Sequence, residues 1–295
     1  GQDLDYIFHN PEIVTEVNRV LAGNPTLSIA VLLLTLVVAG LVGAVLGFVA
    51  SYPAIRLRED YLAIILLAMG EAIRIIGYNY PPIVGGTLGV MAPDPYGWAG
   101  DYRYVASTLF MLGVALALFL FLERLVRTPL GRMLRAIRDN EEVAEALGKD
   151  VARIRMKTIM LSSTIAAVGG ALYAFHSSNV HALTYHRVAW TFWPWVMVIL
   201  GGAANNVGVA IGTFVFVAIR KFIYYYKEAL APFIPFQVVW LDPLLLGLAL
   251  ILVQMFRPEG ILPEKPTTTI SLERLRKILG STGLARPSGR IKPRR

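Results

Sequence analysis

The sequence predicts an all-α, polytopic transmembrane helical bundle, and three observations support this fold class. Of its 295 residues, 56% are hydrophobic, and the mean hydropathy is +0.58. Several apolar runs approach the length of about twenty residues that a helix needs to cross the hydrocarbon core of a bilayer. Basic residues cluster beside these runs, as the positive-inside rule describes. A soluble two-domain enzyme is the alternative, and the long apolar runs disfavour it.

Composition also limits the function. The chain has no Cys, which excludes disulfides, thiolate metal sites and cysteine nucleophiles. We interpret the net charge of +8 as membrane anchoring rather than nucleic-acid binding, because the positive charges flank apolar segments. The first residues, "GQDLDYIFHN", lack the basic start and apolar core of a signal peptide. We therefore expect the chain to begin within a longer protein.

Residues 1–25 are predicted to be an extracytoplasmic surface segment. Within it, "PEIVTEVNRVLA" places its apolar residues on one helical face, behind Asn10 as the cap and Pro11 in the first turn. A transmembrane domain over residues 26–256 follows. Its first span has glycines at a spacing that permits close helix packing, namely Gly40, Gly43 and Gly47.

Charge around the spans predicts about seven membrane segments. Residues 123–157 carry nine Lys or Arg, and residues 257–295 carry ten, so both the loop and this basic tail are predicted to be cytoplasmic. Residues 79–103, with loop chemistry throughout, are predicted to lie outside. The predicted segments are 26–50, 61–78, 104–122, 158–176, 190–203, 207–226 and 241–256.

One of these segments is unusual. Residues 190–203 contain Pro194 and end in Gly201 and Gly202, so a broken or half-depth helix lining a cavity is an alternative to a full span. The sequence "GGAANN" predicts a tight turn after it. In the tail, "SLERLRKIL" is predicted to form a surface helix before a loose end.

No catalytic or metal-binding constellation is evident. Three of the four His, at positions 176, 181 and 186, are five residues apart, which fits neither one helix face nor the usual ligand spacings. The sequence has no G-x-x-x-x-G-K-[ST] loop, so we do not expect this chain to hydrolyse nucleotide. We interpret "GGTLG", with Gly85, Gly86 and Thr87, as a flexible turn near a translocation path.

Glu71 and Arg74 are three residues apart in the second span and can pair on one helix face. A charged residue at mid-bilayer costs about 2.5 to 3.5 kcal/mol on insertion scales, so such residues usually face a bundle interior or a water-filled cavity. Both residues are therefore candidates for the translocation path. A structural ion pair that fastens two helices is the alternative.

The stretch "RDNEEVAEALGKDVARIRMKT" is dense in charge although the chain is apolar. Asn140 can cap a short helix whose first turn carries Glu141 and Glu142, and Gly148 can provide a left-handed stop. A helix of two turns is marginal alone in water, which suggests that a cytoplasmic partner holds it. A solvated connector is the alternative.

"EEVAEALG" resembles the E-A-A-x-x-x-G loop of ABC-importer permeases, with Glu142, Ala144 and Gly148 at the matching places and Val143 in place of the first Ala. Together with "VGGTLGV", "TPLGRMLRAIRDNEEVAEALG", "GGALYA" and "ILVQMFRPEGIL", it resembles the permease subunits of branched-chain amino-acid ABC transporters. That family usually has further spans upstream. By this resemblance Asn140, Glu141, Glu142, Ala144, Glu145 and Gly148 form a cytoplasmic coupling helix and its ends.

The resemblance implies a non-catalytic permease in the inner membrane of a prokaryote. It implies four kinds of neighbour: a second homologous permease in a heterodimer, two ATP-binding-cassette ATPases that bind ATP and Mg²⁺, an extracytoplasmic substrate-binding protein, and membrane lipid. The implied substrates are branched-chain or other hydrophobic amino acids, with urea, amides or another small solute as the alternative. No cofactor, metal or nucleic acid is expected for this chain.

Two functions from other classes remain. An ion-coupled secondary transporter would need carboxylates inside its spans, and only Glu71 qualifies. A membrane-embedded enzyme would need a convergent set of titratable groups, which the sequence does not offer.

Overall fold

A computed structural model describes residues 6–56, 59–226 and 240–264. The chain divides into two compact units, Gly1–Val196 and Met197–Arg295. The helices of the first unit are α1 (Tyr6–Gly23), α2 (Pro25–Arg56), α3 (Glu59–Asn79), α4 (Pro81–Val84), α5 (Arg103–Arg127), α6 (Pro129–Asp139), α7 (Glu141–Ala146) and α8 (Val151–Ser177). Those that follow are α9 (Trp193–Gly201), α10 (Asn206–Tyr225) and α11 (Leu241–Phe256).

Among the described residues, five helices are long and apolar enough to cross a membrane: α2, α3, α5, α8 and α10. Two shorter apolar helices, Val188–Gly201 and Gly247–Phe256, occupy the remaining predicted segments. The predicted all-α membrane fold is confirmed. The predicted surface helix in the tail lies outside the described residues.

The glycines of α2 pack against α8, as their spacing predicts. A Cβ added to Gly43 would lie 2.6 Å from the Cβ of Ala167, and one added to Gly47 would lie 2.8 Å from the Cα of Met160. Real Cβ atoms do not approach so closely, so only glycine allows this separation of the two helices. This contact is the main packing interface of the first unit.

The helix α8 begins before the predicted span, which starts at residue 158. The helix runs without a break from Val151, because the Asp150 side chain accepts a hydrogen bond from the Arg153 backbone N–H at 2.9 Å and caps it there. Hydropathy separates the basic segment Ala152–Thr158 from the span, but a single helix runs through both.

Residues 79–103 also contain more regular structure than the sequence predicts. The helix α4, a two-residue strand β1 (Val90–Met91) and a 3₁₀ segment, Gly97–Tyr102, lie within them. The strand β1 pairs antiparallel with β2 (Asn179–Val180). We call α1, residues 80–102 and residues 178–181 the polar cap.

Side chains far apart in sequence fasten the polar cap. Asn10 accepts a hydrogen bond from the Met91 backbone N–H at 2.8 Å, and Asn18 accepts one from the Asp94 backbone N–H at 2.7 Å. Arg103 forms an ion pair with Asp94 and donates a hydrogen bond to the Ser178 hydroxyl.

Beneath these polar contacts lies a small apolar cluster. It consists of Leu32, Tyr96 and Phe175, with Phe110 packed against it. The polar cap is therefore anchored in the spans α2, α5 and α8 that supply these side chains.

In the second unit, the predicted tight turn at "GGAANN" is present. The Asn205 backbone N–H donates to the Gly202 carbonyl at 3.1 Å, and the Asn205 side chain then caps α10. Residues after α11 return to this turn: the Ile261 N–H donates to the Leu200 carbonyl at 2.9 Å and the Leu262 N–H to the Gly201 carbonyl at 3.1 Å.

Candidate functional site

Two residues of α3, three positions apart, form a charged centre in the first unit. Glu71 and Arg74 make the predicted ion pair, in which both Nε and Nη2 of Arg74 donate to Oε1 of Glu71. Their side chains are 17% and 23% exposed, respectively. The pair lies well inside the candidate span Tyr61–Asn79.

Arg187 is the third member of this charged centre, and it was not among the residues predicted from the sequence. Nε of Arg187 donates to Oε2 of Glu71 at 3.2 Å, across 116 residues of sequence. Both carboxylate oxygens of Glu71 therefore accept from guanidinium groups. We call Glu71, Arg74 and Arg187 the charge cluster. The only signal for Arg187 in the sequence is its position directly before the apolar segment 190–203.

Residues 181–187, which include a 3₁₀ turn, bring Arg187 to Glu71. After β2, Ala182 packs beside Gly77, where a Cβ on the glycine would be 3.8 Å from the alanine Cβ. Arg187 then meets Glu71, six residues earlier on α3, which corresponds to about 9 Å along the helix axis. Residues 181–187 therefore follow α3 toward the middle of its span.

A short apolar helix follows residues 181–187. A π-helical turn, Val188–Phe192, continues into α9, and together they form a 14-residue apolar helix of about 21 Å. A helix of this length is shorter than the hydrocarbon core of a bilayer, which is about 30 Å thick. Irregular backbone inside a membrane is tolerated where protein covers it or where it lines a cavity. The Trp190 indole, for example, donates to the Thr184 carbonyl at 3.0 Å.

The "GGTLG" turn lies at the Asn79 end of α3. Gly85 and Gly86 are buried with φ angles of 67° and 58°, and a Cβ on Gly86 would be 3.2 Å from the Tyr78 carbonyl oxygen. Thr87 is exposed, and its carbonyl contacts Nε2 of His181 at 2.7 Å. The structure therefore brings Glu71 and Arg74 together. Gly85, Gly86 and Thr87 lie near the end of α3, about 10 Å along the helix axis from Glu71.

The histidines that the sequence analysis considered as ligands are separated by the fold. Nδ1 of His176 contacts the Ser107 hydroxyl at 2.7 Å, whereas His181 reaches Thr87. In the described part of the chain, no group of three His, Asp or Glu is placed to hold a metal ion.

We call Asn140 to Asp150 the 140–150 loop, and its short helix has the predicted ends. The Asn140 side chain accepts from the Val143 N–H at 3.0 Å, and Glu141 and Glu142 occupy the first turn. The helix α7 ends at Ala146, and Gly148, the predicted stop, has a φ of 76°. Asp150 then caps α8, so only four residues separate the two helices.

One side of α7 packs on this chain and the other does not. Ala144 is buried, and Glu141 pairs with Arg155 of α8 at 2.9 Å. By contrast, Val143 and Leu147 are 54% and 72% exposed, and four residues apart they share a helix face. Glu142 and Glu145 are exposed as well. The loop therefore presents an apolar pair flanked by acidic groups.

The helix α6, which sequence analysis did not separate from the loop, adjoins α7. It begins at Pro129 behind Thr128, and its buried Gly131 packs so closely on the Val126 backbone that a side chain would not fit. Its exposed positions include Arg132 and Arg138. The surface around α7 thus combines acidic, apolar and basic groups.

Comparison with known proteins agrees with this architecture. The sequence model of the family described as branched-chain amino acid transport system, permease component, matches residues 15–254. No solved structure gives a significant match to the chain.

Three relatives illustrate the similarity. The probable branched-chain amino acid transport permease protein LivM of Methanocaldococcus jannaschii is 38% identical over 282 residues, which cover 95% of this chain and 81% of that protein. The high-affinity branched-chain amino acid transport system permease protein LivM of Salmonella typhimurium is 30% identical over 76% of this chain. The guanosine ABC transporter permease protein NupQ of Bacillus subtilis is 27% identical over 48% of it.

The matched region covers 56% of the length of the Salmonella protein and 48% of the length of NupQ. The family model covers most of the described helices, from α1 to α11. On the extent of this match and the identity to the archaeal relative, this multi-pass membrane protein belongs to the permease-component family of branched-chain amino acid transport systems.

Proposed function

We propose that this chain is the translocation subunit of an ABC importer that moves branched-chain or other hydrophobic amino acids across a prokaryotic inner membrane. The single observation that carries the proposal is the 140–150 loop. A capped, charged helix with an exposed apolar pair is joined through Asp150 to a span. Such a helix gains stability by docking on another protein.

We assign the docking partner as an ATP-binding-cassette ATPase, one of two that bind ATP and Mg²⁺. Val143 and Leu147 enter its groove, and Asn140, Glu142 and Glu145 surround them. Because α8 is continuous from Val151, a displacement of α7 is transmitted directly to the α2–α8 interface. ATP hydrolysis belongs to the partner, and this chain contributes no catalytic residue.

The remaining partners follow from the other surfaces. A second, homologous permease covers part of the first unit, and an extracytoplasmic binding protein docks on the polar cap, where Trp98 and Tyr102 are exposed. In this arrangement residues 1–25 and 79–103 lie outside, while residues 123–157 and the tail from residue 257 are cytoplasmic.

The charge cluster disfavours an ion-coupled secondary transporter. Such a protein needs a carboxylate that exchanges its cation during transport. Both oxygens of Glu71 already accept from arginines. Urea, amides and nucleosides remain alternative substrates, the last because NupQ is named for guanosine.

Reconstitution tests the function. The chain, a second permease and the ATPase encoded with it are purified together and placed in liposomes with a binding protein. We expect uptake of L-leucine that requires ATP and Mg²⁺. Uptake driven by an ion gradient without ATP would favour a secondary transporter, and ATP-driven uptake of urea, acetamide or guanosine without leucine would change the substrate class.

Topology is tested separately in this Cys-free chain. Single cysteines at Glu145 and at Trp98 are treated with an impermeant thiol reagent in intact cells. We expect labelling at position 98 only. Labelling of position 145 from outside would overturn the assignment of the 140–150 loop to the cytoplasm.

A further inference from the structure

The charge cluster carries a net positive charge inside a span. Two guanidinium groups face one carboxylate, and a lone charge exposed to acyl chains costs about 2.5 to 3.5 kcal/mol on insertion scales. Arg187 is 55% exposed, whereas Glu71 is 17% exposed, so Arg187 is the outer member. The surface that Arg187 occupies therefore faces water, protein or a polar ligand rather than lipid.

Arg187 also has hydrogen-bonding capacity to spare. Its Nε donates to Glu71, and the described residues provide no acceptor for its two terminal nitrogens. A guanidinium group binds a carboxylate best through two parallel N–H groups. An incoming carboxylate is thus the ligand that its exposed end fits.

Aromatic rings flank the same residue in the chain. Tyr185 precedes Arg187 by two residues and Trp190 follows it by three, with their ring centroids 5.0 Å apart. Tyr173 of α8 completes the group, 5.1 Å from Trp190. Because the Trp190 N–H already donates to the Thr184 carbonyl, its ring offers apolar surface to a ligand.

Building on the function proposed above, we propose that the charge cluster and this aromatic group form a binding station for a zwitterionic α-amino acid with an apolar side chain. The terminal nitrogens of Arg187 bind the ligand carboxylate, and Oε2 of Glu71, released by Arg187, accepts from the ligand ammonium group. Arg74 stays on Oε1 throughout. The apolar side chain packs against Trp190 and Tyr185.

The exchange answers a physical difficulty of translocation. A zwitterion entering the membrane loses the hydration of two charges, which is costly unless both find partners. Here one ion pair opens and two form, each between groups of opposite charge. The π-helical turn after Arg187 places this station at an irregular point of the backbone, where functional sites are often found.

Substitutions in the assembled, reconstituted transporter test the station. Arg187→Gln removes the carboxylate contact but leaves Glu71 paired with Arg74. We expect ATP hydrolysis stimulated by leucine-loaded binding protein to persist, while L-leucine uptake per assembled complex falls about tenfold or more, given the cost of an unpaired charge. Arg187→Lys restores part of the uptake, whereas Arg187→Met does not.

A matched control is Arg127→Gln, which removes an exposed, ion-paired arginine at the end of α5, outside the polar cap and the 140–150 loop. It should leave both activities unchanged. Wild-type uptake per complex in Arg187→Gln would contradict the binding station, and so would equal uptake in the Lys and Met variants. The charge cluster would then have only a structural role. If the wild-type complex itself takes up no leucine with ATP, the proposed function fails instead, so the two failures are distinguishable.

Discussion

The polar cap and the 140–150 loop lie at opposite ends of α8, and they are held in different ways. In the polar cap, Asn10 and Asn18 contact partners 81 and 76 residues away, and the adjoining Arg103 contacts Ser178 across 75 residues. In the 140–150 loop, the Asn140 cap and the Gly148 stop are local, and Glu141–Arg155 is a contact over only 14 residues.

This difference shows which of the two regions is stabilised by contacts within this chain. The polar cap is held by an apolar cluster that it shares with the spans and by an ion pair that is a fifth or less exposed, so contacts within the chain fix its shape. The short helix α7 leaves Val143 and Leu147 uncovered and depends on its ends for stability. We therefore expect substitutions in the polar cap to change stability, and substitutions in the 140–150 loop to change coupling.

The largest expected effect concerns Arg103. Arg103→Leu leaves Asp94 without its ion partner and removes a donor to Ser178, and both charged groups are a fifth or less exposed. Removing one member of such a buried pair costs about 3 kcal/mol. We expect a clearly lower melting temperature in detergent.

The control for that variant is Arg19→Leu, because the Arg19–Glu16 pair is mostly exposed and should contribute little. Equal melting temperatures for Arg103→Leu and Arg19→Leu would mean that the Arg103 contacts stabilise the protein no more than an exposed ion pair does.

Gly148→Val should separate coupling from stability. A β-branched residue in the left-handed region costs about 1 to 2 kcal/mol. Within the described residues, no atom beyond the two chain neighbours lies within 4 Å of the added Cβ, so the strain is confined to the backbone. We expect an unchanged melting temperature of the spans and a loss of about tenfold in ATPase association or ATP-driven uptake.

Gly148→Asn is the matched control, since Asn tolerates this conformation, and it should retain most of the uptake. If the Val variant binds the ATPase and transports like the wild type, the 140–150 loop is a solvated connector.

The Glu141–Arg155 pair links α7 to α8, and each side chain is about a quarter exposed or less. A double-mutant cycle with Glu141→Gln and Arg155→Gln should give a coupling energy of about 1 kcal/mol in ATPase binding. Zero coupling energy would show that the two helices move independently.

The smallest effect at neutral pH is expected from Tyr96→Phe. The Tyr96 hydroxyl is buried without a hydrogen-bond partner in the described part of the chain, so its removal should stabilise the protein by about 0.5 to 1 kcal/mol. Burial, followed by the negative charge of Asp94, raises the pKa of Tyr96 to about 12 from the usual 10.0.

A raised tyrosine pKa means that the folded state holds its proton more tightly than the unfolded state. The resulting stability is complete below pH 10 and is lost as the pH rises toward 12. The advantage of the Phe variant should therefore widen across this interval when melting temperatures are compared. A constant difference would show that Tyr96 is not protected from ionisation.

Local signals in the sequence were sufficient for several features. The caps of α7, the pairing of Glu71 with Arg74 and the close packing of Gly43 each depend on residue type and short spacing, and the structure contains all three. By contrast, Arg187 was missed because it meets Glu71 only through the folding of 116 intervening residues. The β1–β2 pairing was missed because two-residue strands leave no periodicity.

The sequence by itself determined that this chain is a helical membrane protein with a capped, charged loop helix, because hydropathy, charge and capping act over a few residues. The tertiary structure decided how the charges inside the membrane are satisfied and where residues 181–187 run. A charge buried in a span needs a partner in space, and sequence spacing reveals that partner only when both lie on one helix.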